Sequence, residues 1–344
     1  MSERLEDIAI GMVAEGKGIL AADESSGTIK KRFDTIGLAS TEESRRDYRE
    51  MLFGAEEAMK NYVSGVILYD ETIGQKAKSD VPLVELIKKS GSIPGIKVDT
   101  GAKPMAGAPG ETVTEGLDGL SERLKDYYAA GARFSKWRAV ITIGSDGRPS
   151  WNCIHANAHA LARYAALCQE AGVVPIVEPE VLMDGPDSTH DIEGCYAVTV
   201  RTLHAVFHEL ALANVKLEGM VLKPNMVVPG QKSGTRASVE EVAAKTIKAL
   251  KETVPPAVPG IAFLSGGQSD EEATAHLSAM NAMFDVPWTL TFSYGRALQA
   301  AALSAWQGKA ENVKAAQAAF AHRARMNSLA ATGGWNLDLE REAA

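Results

Sequence analysis

Charged or polar residues in this chain recur two positions apart at the ends of short apolar runs. Lys97 and Asp99 lie in the run Gly95–Thr100, Lys136 and Arg138 in Arg133–Ile141, Glu178 and Glu180 in Val173–Glu180, and Lys223 and Asn225 in Leu217–Asn225. Strand side chains alternate faces, so the two members of each pair project the same way. Asp23 ends the run Lys17–Asp23, while Ser265 and Ser293 fall near the ends of Gly260–Gly267 and Thr289–Gly295. Any one of these residues reads first as a surface charge or half of a structural ion pair. Their repetition at the same end of so many strands carries the chemical reading instead. A protonated lysine is a poor nucleophile, and neighbouring cations together with desolvation lower its pKa. Lys97, Lys136, Arg138 and Lys223 can supply that mutual repulsion, with Asp23, Glu178 and Glu180 as balancing acid–base groups. A neutral amine attacks a carbonyl carbon, and its protonated imine is an electron sink. The set reads as a Schiff-base lyase or a phosphosugar isomerase.

Two turns fit phosphate. Leu264-Ser-Gly-Gly-Gln268 presents Ser265, Gly266 and Gly267, and Ser293-Tyr-Gly-Arg296 presents Ser293, Gly295 and Arg296. Both follow a strand and precede a helix, where glycine N–H groups and a helix N-terminus bind anions. Each motif alone is more often only a turn. A further candidate is Ser25-Ser-Gly-Thr28 with Lys31 and Arg32 nearby. Two such sites imply a doubly phosphorylated substrate.

The elements that must position these groups alternate in type. Eight runs read as strands, the seven already given with Val63–Asp70, each rich in Val, Ile and Leu. Helical stretches separate them: Glu42–Asn61, Leu117–Ala130, Ala156–Ala171, Asp191–Ala213, Val239–Thr253 and Asp270–Met283. Ser238 and Ser269 each precede a glutamate by three residues, the signature of a helix start. Eight strand–helix repeats predict a single (β/α)8 TIM barrel over residues 1–344, with a doubly wound sheet as the alternative. A helix over Leu5–Glu15 precedes the barrel, and Ala297–Gln307 and Glu311–Ser328 follow its last strand. The tail from about residue 332 is expected to be loosely held.

Composition narrows the class. The 344 residues are 45% hydrophobic and 23% charged, with a net charge of −8. That balance predicts a globular protein and argues against nucleic acid as a partner. Cys153, Cys168 and Cys195 share no C-x-x-C spacing, which fits reduced thiols in a cytoplasmic protein. The charged start Met1-Ser-Glu-Arg-Leu-Glu-Asp7 lacks a signal-peptide core, and no apolar run reaches the ~18 residues of a membrane span. His155/His159 and His204/His208 are i,i+4 pairs, but no H-E-x-x-H pattern completes them, and helix-surface histidines are the simpler reading.

At these residues the chain resembles the class I fructose-bisphosphate aldolases. The matching blocks include Gly18-Ile-Leu-Ala-Ala-Asp-Glu-Ser25, Gly95-Ile-Lys-Val-Asp99, Phe134-Ser-Lys-Trp-Arg138, Val174-Pro-Ile-Val-Glu-Pro-Glu180, Leu222-Lys-Pro-Asn-Met226, Phe263-Leu-Ser-Gly-Gly-Gln-Ser269 and Leu290-Thr-Phe-Ser-Tyr-Gly-Arg-Ala-Leu298. The resemblance covers roughly residues 5 to 330. It implies Lys223 as the Schiff-base lysine, Glu178 as the acid–base carboxylate, Asp23 at the C4 hydroxyl and Lys136 beside it. It further implies Ser265, Gly266, Gly295 and Arg296 at the C1 phosphate. Ser25, Thr28 and Lys97 would reach the C6 phosphate, with Arg32 and Arg138 nearby. No cofactor or metal is implied, and a cytoplasmic homotetramer acting on a phosphosugar is. Many relatives end in a tyrosine-bearing tail; here no tyrosine follows Tyr294. A metal-dependent aldolase, a scaffold role and a lyase for another ketose phosphate are the competing readings. Full activity is expected in excess EDTA; a loss that added metal restores would favour the metal-dependent reading.

Overall fold

Eight of the apolar runs pair edge to edge, all parallel, and close on themselves. The computed structural model describes residues 4–341. Its barrel strands are β1 (Gly18–Ala22), β2 (Val63–Leu68), β3 (Ile93–Lys97), β4 (Phe134–Ile141), β5 (Val174–Val181), β6 (Val221–Leu222), β7 (Gly260–Phe263) and β8 (Thr289–Tyr294). Each pairs with its neighbours in sequence, and β8 closes onto β1. This is the (β/α)8 barrel that the alternation predicts, with helices between the strands.

One face of each strand changes character along its length. At the N-terminal end Ile19, Ile67, Phe134, Val174, Ile176, Val221 and Ala262 fill the interior, and they pack on Ile8, Ala9, Met12 and Val13. Those four come from the Leu5–Met12 helix and its end, which plug that end of the barrel. Two residues beyond Ala21, Phe134, Ile176 and Val221 on the same faces, the side chains become Asp23, Lys136, Glu178 and Lys223. The floor is tightly fitted. A Cβ on Gly95 would lie 2.2 Å from the Phe134 ring, so the ring requires glycine there, and one on Gly65 would lie 3.0 Å from it, a tight fit. The opposite faces join the outer core; Trp137 is fully buried there and stacks on Tyr164 with centroids 5.5 Å apart.

Several boundaries differ from those read in the sequence. β6 is only two residues long because Pro224 has no N–H to continue the ladder, and Leu217–Gly219 is a 3-10 turn. Lys223 N still donates to Val177 C=O (2.8 Å), and the Asn225 amide oxygen accepts from Val181 N (3.0 Å). The helix expected over Glu42–Asn61 breaks at Gly54 into Glu42–Phe53 and Glu56–Asn61. An antiparallel hairpin of Gly101–Pro104 with Thr112–Glu115 stands after β3, where the sequence offered only a connection. Ser269 caps Asp270–Met283 with a complete capping box closed by Glu272, and Ser238 accepts from Glu241 N (3.2 Å).

The tail, expected to be loosely held from about residue 332, is tied down as far as Arg341. It ends in a short helix, Leu337–Arg341. Glu340 receives two bonds of 2.6 Å from the Arg323 guanidinium and one of 3.0 Å from the Trp335 indole N–H. Arg323 in turn donates to the Thr274 hydroxyl (2.8 Å) and the Asp270 carbonyl (3.3 Å) of the helix that follows β7. A sequence view could not pair Glu340 with an arginine on a helix 17 residues earlier. Replacing Glu340 by Ala strands a guanidinium whose side chain is 6% exposed. The expected cost is about 3 kcal/mol of stability, read as a lower urea midpoint; a midpoint equal to the parent's would show that this clamp holds nothing.

Candidate active site

The changeover from apolar to charged side chains opens a cavity of 530 Å³ at the C-terminal ends of the strands. At its base four groups form a chain. Asp23, just past β1, meets the Lys136 ammonium of β4 at 2.7 Å. Lys136 meets one oxygen of Glu178 on β5 at 3.3 Å, and the other oxygen of Glu178 meets the Lys223 ammonium at 3.2 Å. One carboxylate therefore stands between two lysines. Its side chain is 4% exposed, and both lysines are 5% exposed. Charges so buried persist only because they are paired.

The protonation states follow from this arrangement. Burial alone would raise the Asp23 carboxyl, but the Lys136 ammonium, then Lys223, and the hydrogen bond from Lys136 outweigh it and hold the group at about 2. Glu178 is lowered in the same way: burial opposes, while Lys136, Lys223 and Arg138 prevail. Burial disfavours the Lys136 ammonium, yet Asp23, Glu178 and Asp99 raise its pKa. Arg138 is raised chiefly by Glu180, to which it is ion-paired. The picture of cations repelling one another is thus incomplete, because a carboxylate separates Lys136 from Lys223.

Above this base the cavity wall carries six carboxylates (Asp23, Glu24, Asp99, Glu178, Glu180, Asp184) and six cations (Arg32, Lys97, Lys136, Arg138, Lys223, Arg296). Among the described residues all of these but Asp184 and Arg296 are ion-paired, Glu178 with two lysines. Lys97 meets Asp99 at 2.9 Å, and Glu24 is shared by Arg32 and the buried Arg49, the latter at 2.8 Å. Gln299 steadies Glu24 by donating to it (3.0 Å) and to Ala21 C=O (2.7 Å). Arg296 is different: among the described residues it has no carboxylate partner, and it donates only to the Gln268 carbonyl (3.2 Å). It opens the helix Arg296–Trp306 behind Gly295. Beside it the Ser293 hydroxyl is buried and unpartnered. An exposed guanidinium, a free hydroxyl and a helix N-terminus together suit an anion.

Of the residues singled out in the sequence, Lys223, Glu178, Asp23, Lys136, Glu180, Ser25, Thr28, Arg32, Lys97, Arg138, Ser265, Gly266, Ser293, Gly295 and Arg296 all line this cavity. Gly267 does not; at φ +75° it turns the loop, and a Cβ there would lie 2.7 Å from Met183. Arg32, expected on the Ser25 side, lies against Gly295, where an added Cβ would be 3.3 Å from its guanidinium. Ser25 caps the helix Ser26–Asp34, and its hydroxyl stands 3.1 Å from that of Thr28. Asp184, Gly101 and Ala102 also line the cavity and were not foreseen. Only strand periodicity was available as a signal, and these three lie beyond the strand ends. His155 and His159 both meet Glu209, at 3.0 and 2.9 Å, on the outer helices. Among the described residues no group of three or more His, Cys, Asp or Glu is placed to hold a metal ion.

A parallel (β/α)8 barrel whose mouth buries a lysine against a carboxylate, with an anion-binding turn above it, defines an enzyme of amine–carbonyl chemistry. Comparison with known proteins specifies the kind. The family model described as fructose-bisphosphate aldolase class-I matches residues 4–344. The chain is 57% identical over 334 residues to a probable fructose-bisphosphate aldolase class 1 of Xanthomonas campestris pv. campestris, covering 97% of this chain and 98% of that one. It is 54% identical over 332 residues to fructose-bisphosphate aldolase C of Rattus norvegicus, covering 96% and 90%. Among solved structures, the fructose-bisphosphate aldolase of Plasmodium falciparum, in complex with TRAP and a small-molecule inhibitor, superposes with a TM-score of 0.94 at 51% identity, covering 96% and 95%. The chain belongs to the class I fructose-bisphosphate aldolase family, lyases whose class denotes a lysine imine.

The depressed carboxyl of Asp23 has a consequence for acid stability. A group whose folded pKa lies below its unfolded value stabilises the fold above the unfolded value, and that contribution is lost as pH falls through the folded one. For Asp23 the window runs from 3.8 down to about 2. It corresponds to ~2 kcal/mol. Urea unfolding across this window should show stability falling with pH in the parent and a shallower fall in Asp23→Asn; identical slopes would contradict the assignment.

Proposed function

We propose that the chain reversibly cleaves fructose 1,6-bisphosphate to dihydroxyacetone phosphate and glyceraldehyde 3-phosphate, with Lys223 as the imine-forming residue. The carrying observation is the Glu178 carboxylate between Lys136 and Lys223, at 3.3 and 3.2 Å. The Lys223 ammonium passes a proton to Glu178 and becomes a neutral amine, which attacks the C2 carbonyl of the open-chain sugar. Glu178, now protonated, returns that proton to the carbinolamine oxygen, which leaves as water and gives the iminium. Asp23, kept anionic by Lys136, removes the C4 hydroxyl proton. The C3–C4 bond then breaks, its electrons flow into the iminium, and the aldehyde departs. Protonation of the enamine at C3 and hydrolysis of the imine release the ketone and restore the amine. In this reading that protonation falls to Glu178 or to solvent. Lys136 stays charged throughout and stabilises the developing C4 oxyanion, and Glu180 orients Arg138.

For substrate binding, Ser265, Gly266, Ser293, Gly295 and Arg296 with Arg32 take the C1 phosphate, and Gly267 only shapes their loop. Ser25, Thr28, Lys97 and Arg138 take the C6 phosphate. The matched wall charges support a dianion at Arg296, the one wall cation lacking a carboxylate among the described residues. A related lyase for fructose 1-phosphate or sedoheptulose 1,7-bisphosphate is the second reading, favoured if kcat/KM for either sugar exceeds that for fructose 1,6-bisphosphate. The family resemblance supports a homotetramer, and a relative in Arabidopsis thaliana named as cytosolic supports a cytoplasmic location. No helix among the described residues is long and apolar enough to cross a membrane.

Borohydride reduction in the presence of dihydroxyacetone phosphate should attach the ligand to Lys223 alone, as peptide mapping would reveal; an unlabelled Lys223 refutes the reading. Glu178→Gln should lower kcat by roughly a hundred-fold while slowing imine formation in single turnover. Unchanged turnover would remove Glu178 from the mechanism.

A further inference from the structure

Lys97 lines two adjoining cavities, the one described above and an outer one of 710 Å³. Asp99 lines both cavities, and the outer one is further walled by three carboxylates that the mechanism does not use, Asp70, Asp118 and Asp126, against one other cation, Arg123. An ammonium on a flexible four-carbon stem is attracted into such a chamber unless something nearer holds it. Asp99 does so. Its Oδ1 lies 2.9 Å from the Lys97 Nζ, which also donates to the Asp99 main-chain carbonyl (3.1 Å). The same Oδ1 accepts from Gly101 N (3.1 Å), and Oδ2 accepts from Arg138 N (3.2 Å). Three N–H donors thus converge on one side chain that is 2% exposed. An asparagine cannot serve all three, because its amide would turn an N–H toward another N–H.

We infer that Asp99 is a positioning residue that keeps the Lys97 ammonium facing the inner cavity, and that it thereby sets the preference for a ketose carrying a second phosphate. The inference rests on the reading of Lys97 as a contact of the phosphate remote from the carbonyl. It links β3, the hairpin beginning at Gly101 and β4 at Arg138 through a single carboxylate.

The test compares kcat/KM for fructose 1,6-bisphosphate and fructose 1-phosphate. In Asp99→Asn the bisphosphate value should fall about ten-fold or more, and the monophosphate value by about three-fold at most. Lys97→Met should lose the same preference, and Asp99→Asn combined with it should lose little more, because the two act as one unit. Equal losses on both sugars, the mark of a merely structural role, overturn the inference, as do fully additive losses in the double variant. If Asp99→Asn does not fold, Asp99→Glu is measured in the same way. It keeps the charge but displaces it by one methylene, so an intermediate preference is expected and a parent-like one overturns the inference. An unlabelled Lys223 in the borohydride experiment marks failure of the proposed function. Normal labelling with unmoved sugar preference marks failure of the role of Asp99 alone.

Discussion

A carboxylate buried between two ammonium groups organises this molecule. Glu178 cannot lie 4% exposed in the barrel mouth without cations beside it, and Lys136 and Lys223 cannot lie there without a carboxylate. Each requires the others, and Asp23 completes the chain on the far side of Lys136. The arrangement also lets a proton move between Lys223 and Glu178 over one hydrogen-bond length. In the proposed mechanism, electrostatic support of the fold and proton transfer therefore use the same contacts.

The barrel makes this possible by dividing each strand in two. The same faces that carry Ile19, Phe134, Ile176 and Val221 at the floor carry Asp23, Lys136, Glu178 and Lys223 above it. The apolar floor, sealed by the Leu5–Met12 helix, fixes the heights and rotations of the strands. Since side-chain direction follows from those rotations, packing at one end dictates geometry at the other.

Much of this was legible in the sequence. Period-two spacing placed Lys136, Glu178, Lys223 and Asp23 at strand ends, and glycine-rich turns marked the anion-binding side. Locally determined features were read well, including the Ser238 and Ser269 helix starts. Features set by distant partners were not. Glu24 carries no local sign of burial, yet Gln299, 275 residues away, donates to it. Asp99 reads as a neighbour of Lys97, yet its second oxygen serves Arg138 N, 39 residues on. The shortness of β6 follows from Pro224, a visible signal, whereas the anchoring of the tail depends on a contact between Glu340 and Arg323 that no local pattern encodes.

The tied-down C-terminus bears on how the mouth of the barrel keeps its shape. Arg323 holds both Glu340 and the first turn of the helix Asp270–Met283, and that turn begins where the Ser265–Gln268 loop ends. The loop proposed to face a sugar's phosphate is therefore braced from behind by Arg323 and Glu340. Heat or denaturant that peels away the terminus removes a support of the anion pocket before the barrel itself opens, so affinity for phosphate should decline ahead of global unfolding.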